Sequence, residues 1–392
     1  MSADTAVLNG GLRGLERVLG RISGAAPGPT LISLGGLHGN EPAGILALQE
    51  VLRSLRGREA HISGDFVALS GNRGALEENR RFLSKDLNRA WVPGRLHGLQ
   101  DPGDTSATPT HSLDPEDREQ AELLSAVEEA VHRSRGEVFF LDLHTTSGPG
   151  EPFSTTVDSL ANRKLALGLP VPFVLGLGEL VEGTLLGYLT DLGIPGVVFE
   201  GGKNDDPDSV AATEAAIWVG LAGAGLVKEG RFPEVSQGRK HLLEKTRGLP
   251  RVLEMRYRHP IDTGNGFRML PGLRSFQPVA AGQAVAKDRG GEVSSPEAGR
   301  LLLPLYQAEG EDGFFLVREF HPFWLTVSRV LRRSGIGRFL HWLPGVREDP
   351  SASRHLIVDR RVARWYTLEV LHLLGFRKKA EEDRRLLVMR QR

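Results

Sequence analysis

Between residues 1 and about 235 the chain alternates short apolar runs with longer segments of helical spacing. This alternation constrains the fold more than any other feature. Residues 31–34 (LISL), 65–69 (DFVAL), 137–143 (EVFFLDL) and 196–199 (GVVF) read as strands. Between the first two, residues 44–55 (GILALQEVLRSL) place Ile45, Leu48, Val51, Leu52 and Leu55 on one helical face. Residues 114–135, 184–192 and 208–228 read as further helices, and the Ala- and Gly-rich stretch 215–227 as a buried one. The pattern predicts an α/β domain with a largely parallel sheet, because a strand–helix–strand crossover returns the next strand in the same direction.

The pattern changes near residue 238. Residues 264–317 carry short apolar runs broken by Gly and Pro, predicting a small β domain of barrel or sandwich type. Beyond residue 320 the chain is read as helical again, with dense apolar residues over 323–331 and 365–376. The expected organisation is therefore an α/β domain over 1–237, a small β domain over 238–320 and a basic helical C-terminal extension over 321–392. Residues 95–113, rich in Gly, Pro, Asp, Thr and Ser, read as a long loop.

The 392 residues contain no Cys, which excludes disulfides, thiolate catalysis and Cys-based zinc sites. Any metal must be held by His and carboxylates. Lys plus Arg equals Asp plus Glu at 49 each, so overall charge points to no polyanionic partner, and no nucleic acid is expected. From residue 321 onward, however, 16 Lys/Arg face 7 Asp/Glu. A basic tail on an acidic body points to docking of one on the other or to a separate surface role. The first residues do not read as a signal peptide, no apolar run approaches a membrane span, and a cytoplasmic location is the expectation.

The candidate chemistry falls where strands end, which is where parallel sheets gather ligands. After the first strand comes GGLHGNEPAG, with His38 and Glu41 three residues apart. That spacing alone is close to chance among 12 His, and His241 with Glu244 repeats it in a charged helical stretch read as surface. His144 ends the strand EVFFLDL and is either a metal ligand or a hydrogen-bonded strand-end imidazole. Two His and one carboxylate leave a coordination position open for water, as catalytic zinc sites require. Asp142 shares a strand face with His144 and either orients it from behind or is an ordinary buried, paired Asp. Glu200 ends GVVFE and is either a partly desolvated general base or a helix cap paired with Lys203. Arg81, Asn88 and Arg89 lie in NRGALEENRRFLSKDLNRAW, which is either a clamp for carboxylates and oxyanions or a solvated basic loop.

Taken in order, GGLHGNEPAG, RFLSKDLNR, LDLHTT and VFEGG resemble the succinylglutamate desuccinylase and aspartoacylase family, a deacylase branch of the zinc metallocarboxypeptidase-like fold. The resemblance covers about residues 25–320. It implies a three-layer α/β/α sandwich with a mostly parallel mixed sheet plus a smaller β domain at the pocket entrance. It implies one zinc ion held by His38, Glu41 and His144, with Glu200 as general base and proton shuttle. Arg81 would stabilise the oxyanion, and Asn88 with Arg89 would hold the carboxylate of an N-acyl amino acid substrate. Aspartoacylase-like members place a further substrate-binding Arg about ten residues before the base; here that region is TLLGYLTDLGIPG, and Thr190 stands ten before Glu200.

Two rival readings accompany this one. A metallocarboxypeptidase acting on peptides would share the zinc, the base and the Arg. A non-catalytic module would use the basic tail around Trp324, Trp342 and Trp365 to meet a membrane surface, an acidic partner or a second subunit in a homo-oligomer.

Overall fold

The structure, a computed structural model, describes residues 12–92, 114–262, 264–334, 345–348, 355–359, 376–382 and 385–390. The long loop expected over 95–113 and the residues Trp342 and Trp365 lie outside the described residues.

The strands of the first half are β1 (Val18–Ser23), β2 (Ala26–Gly35), β3 (Ser63–Ser70), β4 (Val138–Thr146), β5 (Phe153–Thr155), β6 (Phe173–Leu175), β7 (Gly196–Lys203) and β8 (Val252–Pro260). They lie side by side in the order β1-β3-β2-β4-β7-β5-β6-β8. Five of these seven neighbouring pairs are parallel; β1 on β3 and β5 on β7 are antiparallel. The helices are α1 (Ala43–Leu55), α2 (Arg73–Glu78), α3 (Pro115–His132), α4 (Leu160–Gly168), α5 (Leu177–Leu180), α6 (Leu185–Asp191), α7 (Pro207–Ala224) and α8 (Pro233–Lys245).

Both faces of the sheet are covered, so its central strands are apolar on both sides. Along β2, β3 and β4, Leu31, Phe66, Ala68, Leu141 and Leu143 meet α1, α7 and α8 on one face. The alternate residues Ile32, Leu34, Val67, Leu69 and Phe140 meet α3 and α6 on the other. The period of two along a strand produces this division, and the three layers are the expected α/β/α sandwich. Helix starts carry side-chain caps: Asn72 accepts from the Ala75 N–H, Ser159 from Asn162, Thr184 from Gly187 and Asp206 from Asp208. The stretch 215–227 is buried through most of α7, as read from its composition.

The large sheet does not stop at β8. The next strands are β9 (Arg268–Met269), β10 (Pro278–Val279), β11 (Ala284–Asp288), β12 (Gly291–Ser294), β13 (Gly299–Leu302) and β14 (Asp312–Glu319). Of these, β14, β13 and β10 continue the sheet antiparallel from β8, while β12-β11-β9 form a separate three-stranded sheet. Along β14, Phe314 and Leu316 pack toward Val285 and Ala286 of the small sheet. Phe315 and Val317 pack toward Phe153 and Val174 of the first half. The expected barrel-like β domain is thus a small sheet facing the end of the large one, because β8 finds a parallel partner in β6.

The C-terminal extension also departs from its helical expectation. Helix α9 (Phe323–Arg333) forms, but β15 (Val346–Glu348), β16 (His355–Asp359), β17 (Phe376–Glu382) and β18 (Arg385–Arg390) make a four-stranded antiparallel sheet. The apolar parts of HLIVD and RLLVMR, LIV and LLVM, are only three and four residues long between polar ends, too short to decide between strand and helix. Helix α9 docks on the body through buried Leu325 and Asp158, whose carboxylate accepts from both Arg163 and Arg332 at 2.8 and 2.7 Å. Phe323, Trp324 and Val330 are exposed on α9. No helix among the described residues is long and apolar enough to cross a membrane.

One close approach fixes where the chemistry-bearing loops meet. The Gly39 N–H donates to the Arg81 carbonyl at 3.1 Å. A Cβ on Gly39 would lie 2.0 Å from the Ala75 carbonyl carbon, inside the backbone of α2. Gly39→Ala must therefore push the loop after β2 away from residues 75–81. It is expected to cost about 1–3 kcal/mol of stability, measured by chemical denaturation; an unchanged midpoint would show that this contact is not needed.

Candidate active site

His38 and Glu41 stand in the turn between β2 and α1, where Gly36 adopts a left-handed φ of 68° to reverse the chain. His144 projects from β4, which runs two residues further, to Thr146. Glu200 lies directly across from it in register on β7, which likewise continues to Lys203. Both strands stay paired past the expected ends, His144 with Glu200 and Thr146 with Lys203, and on its other side β7 meets β5 with Phe153 opposite Glu200.

The Glu41 carboxylate sits between the two imidazoles. Its Oε1 is 2.8 Å from His38 Nδ1 and its Oε2 is 3.0 Å from His144 Nδ1. The Thr145 N–H donates to the same Oε2 at 3.1 Å. The three side chains are 3–5 % exposed, and one ligand atom from each lies within 4.8 Å of the others. Outside this centre stand further carboxylates. His38 Nε2 is 3.3 Å from Asp86 Oδ1, and His144 Nε2 is 3.2 Å from Asp142 Oδ2, the latter close but not aligned as a hydrogen bond. Each imidazole therefore turns Nδ1 inward and Nε2 toward an acid. A carboxylate behind a ligating His holds the tautomer that leaves Nδ1 free to bind a cation.

The charges do not balance without a further cation. Glu41, Asp86, Asp142 and Glu200 crowd around two imidazoles. Arg81 is in contact with them, 3.0 Å from Asp86 Oδ2 and 3.6 Å from Glu41 Oε1. Protons make up part of the deficit. Burial alone would depress the His144 imidazole, but Asp142 and Glu41 outweigh it and hold its pKa well above the usual value. Burial would likewise raise Glu41, yet His38 and His144 keep it well below the usual carboxylate range. Asp86 is also held low, burial being outweighed by His38 and Arg81. At Glu200 burial wins: with Glu41 and Asp142 adding to it, the carboxyl is pushed up to about 8. Both oxygens of Asp142 and Oε2 of Glu200 are buried without a hydrogen-bond partner. A divalent cation at the Nδ1 atoms and Glu41 would relieve this excess. The donor set of two imidazoles and a carboxylate suits zinc and several other divalent ions.

Seven residues singled out in the sequence line one cavity of about 190 Å³, His38, Glu41, Arg81, Asn88, Arg89, His144 and Glu200, and Asp142 lines it with them. Arg81, Asn88 and Arg89 are brought there by a tight segment ending in a 3-10 turn, Leu87–Arg89. Glu116 of α3 anchors that segment by accepting from the Leu83 and Ser84 N–H groups. Asn88 Oδ1 accepts from the Leu185 N–H at the start of α6. Arg89 Nε lies 3.5 Å from Glu311 Oε2. The far wall comes from residues 303–312 of the β13–β14 connection. Asn40 donates to Gln307 at 2.9 Å, and the Tyr306 N–H donates to Ser147 Oγ at 3.1 Å.

Asp86 and this connection were not singled out from sequence. Asp86 sits inside the motif RFLSKDLNR among basic neighbours, where its role as a clamp on His38 and Arg81 leaves no periodic signal. The second His–Glu pair, His241 and Glu244, lies on α8 away from the pocket, with Glu244 exposed.

A family model described as the Succinylglutamate desuccinylase/Aspartoacylase catalytic domain matches residues 27–216, the span that carries all seven residues. The chain is 37% identical over 62 residues to succinylglutamate desuccinylase of Ectopseudomonas mendocina (strain ymp), a match that spans 16% of this chain and only 18% of that protein. Among solved structures, the succinylglutamatedesuccinylase/aspartoacylase from Rhodobacter sphaeroides aligns with a TM-score of 0.55 at 16% identity, over 78% of this chain and 88% of that one. The product-bound ectoine utilization protein EutE (DoeB) from Ruegeria pomeroyi aligns with a TM-score of 0.53 at 18% identity, over 75% and 85%. At such identities these two likenesses speak for the fold. The catalytic-domain match lies over the strands and turns that form the pocket, so residues 27–216 are similar to the catalytic domain of the succinylglutamate desuccinylase/aspartoacylase family.

Proposed function

We propose that this chain is a zinc-dependent hydrolase that cleaves the amide bond of an N-acyl amino acid, releasing a carboxylic acid and an amine. The observation that carries the reading is the inward pair of Nδ1 atoms with Glu41 between them, faced by the raised carboxyl of Glu200. The likeness of residues 27–216 to a deacylase catalytic domain supports a bond other than a peptide bond.

His38, Glu41 and His144 would hold the metal. A divalent cation bound there supplies Lewis-acid polarisation of the amide carbonyl and makes water acidic enough to be deprotonated near neutrality. Glu200, as carboxylate, accepts the proton of the attacking water as oxygen bonds to the carbonyl carbon. It then delivers that proton to the amide nitrogen as the carbon–nitrogen bond breaks. Arg81 faces the carbonyl oxygen as it gains charge; held by Asp86, it needs no reorientation to do so. Asn88 and Arg89 would hold the substrate carboxylate, Arg89 through its planar fork.

Glu200→Gln keeps the shape of the site and removes the base. Metal content is expected to stay near that of the parent while turnover falls by about 10²–10⁴-fold. His38→Ala is expected to lose the metal itself, read by elemental analysis of the purified protein. A Glu200→Gln protein with full metal and full turnover would remove Glu200 from the reaction.

The metal-free fold should lose stability as pH rises. His144 has a folded pKa above its ordinary 6.5, so its contribution is present below that value and fades as pH climbs through the raised one. Glu200, raised from 4.5 to about 8, has the same sign and loses its contribution over that interval. A cation replaces both protons. The gain in melting temperature on adding zinc is therefore expected to grow between roughly pH 6 and pH 8, followed by differential scanning fluorimetry. A gain that shrinks over this range would contradict the charge argument.

A further inference from the structure

The geometry points to a substrate that carries one carboxylate and is otherwise uncharged and apolar, rather than an acidic amino acid or a dicarboxylic acyl group; this rests on the hydrolase reading above.

The first observation is the wall. Beyond the polar cluster the cavity is lined by Val157, Leu177, Leu186, Val198, Leu305 and Phe315. Val157, Leu177, Leu186 and Phe315 are buried; Val157 follows β5, and the other three stand on α5, α6 and β14. A charged substituent pressed against such a wall loses its water and gains no partner.

The second observation is the supply of cations. Among the described residues lining the cavity, Arg81 and Arg89 are the only Lys or Arg. Arg81 is committed to Asp86 and lies near Glu41. That leaves Arg89, one guanidinium fork for one carboxylate. The position where a further Arg was looked for, Thr190, does not line the cavity at all. Its hydroxyl accepts from the Asn162 side chain in the buried layer behind α6.

The third observation is the anions already present. Glu311 and Asp312 line the cavity from the β13–β14 side. Asp312 is held by Arg258, and Glu311 faces Arg89 at 3.5 Å with its side chain largely exposed. A substrate carboxylate on Arg89 displaces Glu311 toward solvent. A second carboxylate would meet Glu311, Asp312, Asp142 and Glu200 with no cation left to pair it. Specificity here is set by repulsion as much as by attraction.

The test uses the zinc-loaded full chain. Specificity constants are compared for N-acetyl-leucine and N-acetyl-phenylalanine against N-acetyl-aspartate and N-succinyl-glutamate. The apolar substrates are expected to be favoured by at least about tenfold. Equal or greater activity on the acidic pair overturns the inference and leaves the hydrolase reading standing. Hydrolysis of none of the four counts against the hydrolase reading, and calorimetric titration with the free amino acids then decides the inference. Tighter binding of leucine or phenylalanine than of aspartate or glutamate supports it; the reverse order overturns it. Leu305→Arg adds a cation to the wall on an exposed connection, with folding checked by melting temperature. It is expected to shift either ratio about tenfold toward the acidic ligands, and an unchanged ratio would show that wall charge does not set the choice.

Discussion

Four carboxylates, Glu41, Asp86, Asp142 and Glu200, crowded around two imidazoles form the constraint on which the rest of the first half depends. Like charges so placed repel unless cations or protons stand between them. Arg81 answers part of the excess and the His144 imidazole answers more. The backbone follows from this. Glu41 must reach one imidazole in its own turn and one on β4, so the turn after β2 has to lie tight against α2 and the residues that follow it. Gly39 makes that approach possible, its amide bonded to the Arg81 carbonyl. Glu116 pins the opposite side of the same segment through two backbone amides. The polar centre is thus held by backbone contacts as much as by its own hydrogen bonds.

Much of this was legible in the chain. Strands that alternate with amphipathic helices, such as 31–34 followed by 44–55, announce a covered parallel sheet, and the sheet forms as read. His38, Glu41, His144 and Glu200 were visible because each follows an apolar run closely, where a parallel sheet exposes its ends. The convergence of His144 and Glu200 could not be read from spacing. It comes from the register of β4 on β7, which pairs residues 56 positions apart.

What escaped the sequence shares a physical cause. Asp86 contributes through two oppositely directed bonds, to His38 and to Arg81, and neither is periodic. The parallel pairing of β6 with β8 carries the sheet from the first half into the second, so the strands beyond residue 250 belong partly to the large sheet. A boundary signalled by composition need not be a boundary in hydrogen bonding. In the C-terminal extension, apolar runs of three or four residues suit a strand or one helical turn equally, and the flanking polar residues do not decide between them.

The connection between β13 and β14 closes the pocket without touching the two imidazoles. It is held by Asn40 and Ser147 at its base, while Leu305 and Glu311 face the interior. The buried acids and imidazoles and this connection therefore reside on separate stretches of chain, the former within residues 38–200 and the latter within 303–312. A protein arranged in this way can be retuned by exchanging one surface excursion, while the costly arrangement of buried acids and imidazoles is inherited unaltered.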